Sequence, residues 1–268
     1  LSSIFSLYSD HENKILNKLR DAAAKNGAVL DFTDHNNHGH RLWRITDNNV
    51  LKYVTEALKE KVIFIADGHH RYETALKYKE WLLANTADFA SDHPANYVMM
   101  YLCSMEDPGL IILPAHRLLN EVPEASRAAL MANATQYFDV TTFPFAKMGM
   151  EQAKNEFASV LKSESSQNCI GVCMKDRPEL HLFTLRPGVM EQKFGDELHE
   201  ALRNIDVTVL TRLIFMELLG FDQTRLDNEK LIAYSSIVNN AIDTVVSGKH
   251  DIAFILNPTR IEQVRRIA

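Results

Sequence analysis

Apolar and polar positions along this chain change period repeatedly, and each change marks an element. Residues 4–9 read as a strand and 12–26 as a helix ended by Gly27. Residues 28–33 and 41–45 are strand-like runs around the polar loop 34–39, a hairpin by its turn chemistry. Helical period returns over 48–59 and leads into the apolar, β-branched run 62–66, which has the length of a buried strand. That run stops at Asp67-Gly68, and Tyr72, Ala75, Leu76, Lys79 and Leu83 then keep the three-to-four spacing of an amphipathic helix, with Lys79 lending its aliphatic stem. Tyr78, Trp81 and Phe89 read as packing aromatics. A further apolar strand spans 97–104, followed by the Glu106-Asp107-Pro108-Gly109 turn and the run 110–113.

After Leu119 the texture changes. Residues 125–137 and 151–162 have helical period, 169–175 with 180–185 make a hairpin, 194–219 is a long helical stretch with a break near Asp206, and 252–256 is strand-like. The spacer Glu121-Val122-Pro123-Glu124 sets the expected boundary, giving domains 1–120 and 121–268. Strand pairs mixed with flanking helices point to an α/β or α+β core. Neither Gly-x-Gly-x-x-Gly nor a Walker-type loop is present to favour a doubly wound sheet.

The densest chemistry lies between the run 62–66 and the helix after it, in Asp67-Gly68-His69-His70-Arg71. First-turn amides of a helix have no intrahelical partner, and the helix dipole places partial positive charge there, so this is an anion site by construction. Gly68 lets backbone approach a ligand, Arg71 offers a planar fork to two phosphate oxygens, and Thr74 adds a hydroxyl one turn on. His69 and His70 can donate a hydrogen bond, take a proton or bind a metal. The plainer alternative is a capped helix, with Asp67 at the N-cap and both imidazoles solvated.

Ile-Ala-Asp-Gly-His-His-Arg-Tyr-Glu-Thr-Ala-Leu, residues 65–76, resembles the hallmark of the domain of unknown function 1015 family. Matching pieces recur at residues 3–10 (Ser-Ile-Phe-Ser-Leu-Tyr-Ser-Asp), 40–43 (His-Arg-Leu-Trp), 113–117 (Leu-Pro-Ala-His-Arg) and 205–210 (Ile-Asp-Val-Thr-Val-Leu). The Asp-Gly-His-His-Arg core is more distantly similar to the phosphate-binding motif of the ParB/sulfiredoxin superfamily, which includes free-serine kinases. That resemblance implies a ParB/sulfiredoxin-like mixed-sheet domain over 1–120 that binds phosphate or nucleotide, followed by a second α+β domain of unknown role. It implies a nucleotide, ATP or ADP, with Mg²⁺ held by Asp67, and catalytic roles for Asp67, His69 and His70. Gly68, Arg71 and Thr74 would bind phosphate, joined by His116 and Arg117 if the strands ending at 66 and 113 are neighbours, so that the two His-Arg pairs converge on one oxyanion; the plainer alternative for His116-Arg117 is a surface turn. Departures narrow the comparison. Sulfiredoxins carry a reactive Cys where this chain has His69, which excludes sulfinic-acid reduction, and the basic DNA-binding module of ParB proteins is not seen. In the resembling family a segment precedes the Ser-Ile-Phe-Ser-Leu-Tyr piece and a tail follows the charged stretch 260–268, and the chain opens on Leu1, so a piece of a longer protein is expected.

Composition bounds the partners. The 268 residues are 46% hydrophobic and 24% charged, an ordinary globular balance. No apolar run approaches a membrane span, and three cysteines are too few for a disulfide framework, so a cytoplasmic protein is expected. Cys169 and Cys173 read as buried strand residues. A net charge of −6 argues against a nucleic-acid partner and for a small-molecule or nucleotide ligand, and oligomeric state is open. His35, His38 and His40 read as a solvated hairpin tip more readily than as a metal site. Asp206 reads as a helix cap at a break. The leading expectation is a nucleotide-dependent phosphotransferase or phosphohydrolase. A non-catalytic nucleotide or metabolite sensor is second, and a metal-dependent hydrolase using Asp67, His69 and His70 is third.

Overall fold

The computed structural model describes residues 2–86, 89–228 and 230–267. It is an α+β protein in two compact units, 1–111 and 112–268. The division falls ahead of the expected boundary at 120, because the strand His116–Leu119 pairs wholly within the second sheet.

The first unit is built on three strands, β1 (Ile4–Tyr8), β4 (Phe64–Asp67) and β5 (Met100–Ser104), in the order β4-β1-β5. β1 is central, antiparallel to β4 and parallel to β5. Its Ile4, Leu7 and Tyr8 are buried, as a central strand requires. β2 (Leu30–Thr33) and β3 (Gly39–Leu42) form the expected hairpin, Leu30 opposite Leu42 and Thr33 opposite Gly39. Helices α1 (Lys14–Ala24), α2 (Asn48–Lys59) and α3 (His69–Asn85) complete the unit. Asp47 caps α2, its carboxylate accepting from the amides of Asn49 and Val50.

Several expectations change here. The run 62–66 is not covered on both faces. Only its end joins β4, an edge strand whose Ala66 and Asp67 are exposed, as is Val62. A short apolar run does not distinguish a central strand from an edge strand packed on one side. Along α3 the half-buried stripe is Tyr72, Ala75, Lys79 and Leu82, while Leu76 and Leu83 are exposed. Tyr78 and Trp81, expected inside, stack on each other in the open. The run 110–113 is not a strand.

The second unit carries a six-stranded antiparallel sheet, β10-β6-β11-β8-β9-β7. Its strands are β6 (His116–Leu119), β7 (Phe138–Pro144), β8 (Cys169–Met174), β9 (Glu179–Leu185), β10 (Ile232–Ser235) and β11 (Ile252–Leu256). Strand alternation makes two cores. Ile170, Val172 and Met174 join one with Leu130 and the π-helix Leu210–Leu218, and Cys169 and Cys173 join the other with helices Met150–Ser163 and Val238–Val246. At Gly171 the sheet meets Phe157 so closely that a Cβ would overlap the ring. Cys169 and Cys173 are buried strand residues, as read from the sequence, and burial pushes both thiols up to about 12. β7 and β10 are strands that periodicity did not reveal. The stretch expected to be helical over 194–219 consists of short helices, broken at Asn204-Ile205 before Asp206–Val209, and then the π-helix. No helix among the described residues is long and apolar enough to cross a membrane.

Candidate functional site

β4 delivers the chain to α3 through one residue. Asp67 closes the strand opposite Phe5, where the ladder is irregular between Phe5 and Ser6. Gly68 follows at φ 98°, a left-handed conformation in which a side chain is strained, and α3 starts at His69. No side chain caps α3. Its first intrahelical bond runs from the Tyr72 amide to the Gly68 carbonyl (3.0 Å), leaving the amides of His69, His70 and Arg71 ahead of the ladder. Of the capped-helix alternative the cap does not form, since Asp67 precedes the cap position and turns its carboxylate to Arg71, while both imidazoles are solvated as that alternative has them.

Arg71 lies back over the turn. Its Nη2 is 2.5 Å from Asp67 Oδ2, and its Nη1 donates to the Ser3 carbonyl just before β1. A Cβ at Gly68 would sit 3.0 Å from Cζ, Nε and Nη2 of Arg71, so the glycine also makes room for the guanidinium. The pair is open to solvent, with Asp67 73% and Arg71 37% exposed at the side chain. His70 is fully exposed (100%), its Nδ1 3.6 Å from Glu73 Oε2, and His69 is exposed beside it. The Thr74 hydroxyl donates to the His70 carbonyl (2.6 Å). That spends its only O–H, so Thr74 has no free donor for phosphate here. What the turn offers an anion is three leading amides, the dipole of a 17-residue helix, one guanidinium and two exposed imidazoles.

His116 and Arg117 are placed differently from the expectation. They open β6 rather than end a strand, and His116 is 0% exposed in the core of the second unit. Its Nδ1 accepts from the Leu256 amide (3.1 Å), which puts the proton on Nε2, a buried atom with no partner among the described residues. Burial, then the neighbouring Arg117, pushes the imidazole down to about 4. Arg117 donates through Nη1 to the Ala115 carbonyl, and its guanidinium lies 4.4 Å from the Tyr234 ring centre. The unpartnered His116 Nε2 is enclosed in the core, whereas Arg117 keeps guanidinium N–H groups beyond the one given to Ala115.

Elsewhere, His38 Nδ1 and His40 Nε2 lie 3.4 and 3.1 Å from Asp34 Oδ2. The His38 amide and then the His40 ring hold the Asp34 carboxyl below its usual range. No group of three or more His, Cys, Asp or Glu side chains among the described residues is arranged to hold a metal. Mg²⁺ arriving on a nucleotide needs only one or two protein carboxylates beside phosphate and water, a set that Asp67 Oδ1 fits. Asp206 does not cap its helix. It accepts from Asn168 Nδ2 (2.8 Å), and burial raises it to about 6 against the pull of Asn168 and Arg260.

Sequence reasoning read Glu106 only as part of a turn. It is a half-buried hub beside the ends of the parallel pair β1 and β5. Its carboxylate accepts from Ser9 Oγ (2.8 Å), the Asp10 amide (2.7 Å) and Ser104 Oγ (3.0 Å), with His11 Nδ1 at 3.1 Å. His11 Nε2 also lies 3.4 Å from Ser9 Oγ, so the imidazole stands between the hydroxyl and the carboxylate as in a Ser-His-acid set, although Ser9 gives its own proton directly to Glu106. The signal available was weak: Ser9 and Asp10 fall in one of the family-like pieces.

No curated protein sequence matches the chain. Among solved structures it is similar to a free serine kinase in complex with AMP, with TM-score 0.37 and 13% identity over 98% of this chain and 78% of that one. It is also similar to a mutant free serine kinase in complex with ADP, with TM-score 0.35 and 13% identity over 98% of this chain and 77% of that one. At these scores neither likeness bears on the chemistry of the site. The family of proteins of unknown function DUF1015 matches residues 1–208, well over half of the sequence, and the chain belongs to that family.

Proposed function

We propose that the first unit binds the phosphate of a nucleotide at the start of α3 and that the protein is a nucleotide-dependent phosphotransferase or phosphohydrolase acting on a small molecule. The observation that carries this reading is the uncapped helix entered through Gly68 at φ 98°, with the Arg71 guanidinium laid over the glycine. Amides and guanidinium together match an anion with several oxygens. Phosphoryl transfer asks a protein mainly for positioning and charge neutralisation, and Mg²⁺ bound with the nucleotide supplies part of the second. Arg71 would exchange Asp67 for phosphate oxygens, which frees the Asp67 carboxylate to hold the cation. His70, exposed to solvent, would contact the phosphoryl group, and His69 would serve as acid or base.

The test is incubation with ATP, ADP, CTP and GTP, with and without Mg²⁺ and free amino acids, followed by phosphate and product analysis. Nucleotide-dependent release or transfer of phosphate is expected. Absence of both binding and turnover across the set removes the reading. A sensor without turnover is the second reading, favoured by the closed Asp67–Arg71 pair. Asp67→Asn separates the two. In a sensor it frees Arg71 and tightens phosphate binding, whereas in the enzyme it abolishes turnover whatever it does to affinity.

A further inference from the structure

We infer that the phosphate turn continues sideways into an aromatic platform made by Phe5 and Tyr101, and that the platform selects a nucleotide base over other phosphate esters. This rests on the proposed phosphate site and adds what lies beside it. Asp67, Phe5 and Tyr101 are register partners across β4, β1 and β5, one row of the sheet. Directly opposed residues of a regular ladder present their side chains to the same face, so the two rings share a side, and Asp67 ends the row they belong to. The rings meet at 5.3 Å between centroids, tilted by 41°. Tyr101 remains 59% exposed although it sits in a strand against an aromatic neighbour. β5 is an edge strand, so among the described residues no further strand covers that ring. Two strand spacings place Tyr101 roughly 10 Å from Asp67, about the reach of a nucleotide from base to terminal phosphate.

The chemistry is complementary at both ends. The turn binds the anion through amides and Arg71, and the exposed Tyr101, backed by the half-buried Phe5, offers a flat face to a heterocycle. Stacking on an aromatic side chain is tolerant of base identity and contributes about 1–3 kcal/mol per base. A sugar phosphate would fill the turn and leave the platform bare. The expected ligand class is therefore a nucleotide whose discrimination comes from stacking, with weak preference among bases.

The experiment measures, by calorimetry on the full chain, the affinity for AMP, CMP and ribose 5-phosphate in the wild type and in Tyr101→Ala, Tyr101→Phe and Arg71→Ala. The wild type is expected to bind both nucleotides about 5- to 150-fold tighter than ribose 5-phosphate, the range that stacking supplies. Tyr101→Ala should erase that margin without changing ribose 5-phosphate affinity, and Tyr101→Phe should restore it. Arg71→Ala should weaken all three ligands together. Equal wild-type affinity for AMP and ribose 5-phosphate, both weakened by Arg71→Ala, overturns the platform and leaves the phosphate site standing. No measurable binding of any of the three removes the phosphate site and the platform with it. Because the nucleotide-to-sugar margin is read first in the wild type, a Tyr101 variant that fails to fold does not spoil the test.

Discussion

Arg71 is the residue on which the candidate site turns. Its guanidinium is held by one exposed carboxylate and one carbonyl, contacts of the kind that contribute little to folding. A bidentate contact to phosphate contributes on the order of 1.5–3 kcal/mol. Arg71→Ala should therefore lower phosphate or nucleotide affinity by one to two orders of magnitude while moving the melting temperature by no more than a few degrees. A variant that binds as the wild type does yet melts far earlier would make Arg71 a structural residue. The two histidines divide in a similar way. Gln keeps the hydrogen bonding of imidazole but does not titrate near neutral pH. His69→Gln should abolish turnover with little change in affinity if His69 moves the proton, and His70→Gln should mainly raise KM. Steady-state kinetics on both variants gives the split, and equal, small effects would favour the sensor. The placement of these groups at one strand-to-helix turn was legible in the sequence because the four lie within five residues. The use of Thr74 was not, since a hydroxyl in a helix bonds back to the preceding turn wherever no better acceptor is present.

At the scale of the element, the turn between β4 and α3 depends on Gly68. The left-handed φ of 98° costs any other residue about 1–2 kcal/mol, and a Cβ there would also press on the Arg71 guanidinium at 3.0 Å. Gly68→Ala should lower stability by about that amount and weaken phosphate binding as well, because Arg71 must leave its seat. Thermal denaturation read beside phosphate titration checks both, and an alanine variant equal to the wild type in each would show that the turn needs no glycine. The helix following this turn was legible because its chemistry is local: a glycine, an uncapped first turn and three-to-four spacing. Its packing was not. The half-buried stripe ends at Leu82 rather than Leu83, and Tyr78 and Trp81 lie outside, because spacing reports that a helix has a face without saying how much sheet there is to cover it.

At the scale of the whole molecule, buried groups in the second unit pull acid stability in opposite directions. The folded His116 is held down to about 4 against an ordinary 6.5, so its contribution is full above pH 6.5 and is lost as pH falls toward 4. Burial holds His181 and His250 below their ordinary value too, so they act in the same sense. Asp206 is raised from 3.8 to about 6, and its contribution has the opposite sign, growing as pH falls from 6 toward 3.8. Three imidazoles against one carboxyl predict a net loss of stability between pH 6.5 and 4. Urea midpoints taken from pH 7 to 4 should fall for the wild type. They should fall more steeply for Asp206→Asn and more gently for His116→Gln. A His116→Gln slope as steep as that of the wild type would show that His116 does not titrate as its burial dictates.

The sequence by itself determined what short-range chemistry controls. The hairpin 30–42, the capped α2, the buried cysteines of β8 and the Asp67-to-Arg71 turn all follow from neighbours a few residues apart. Tertiary structure alone decided which strands lie at an edge, and that exposed β4, enclosed His116 and moved the division of the chain from 120 to 111. It also brought Ser9 to Glu106 across 97 positions and laid Phe5 against Tyr101. The reason is that periodicity records the demand of a face for burial, whereas sheet order and register, which choose the partner that meets the demand, are set by pairings between residues far apart in the chain.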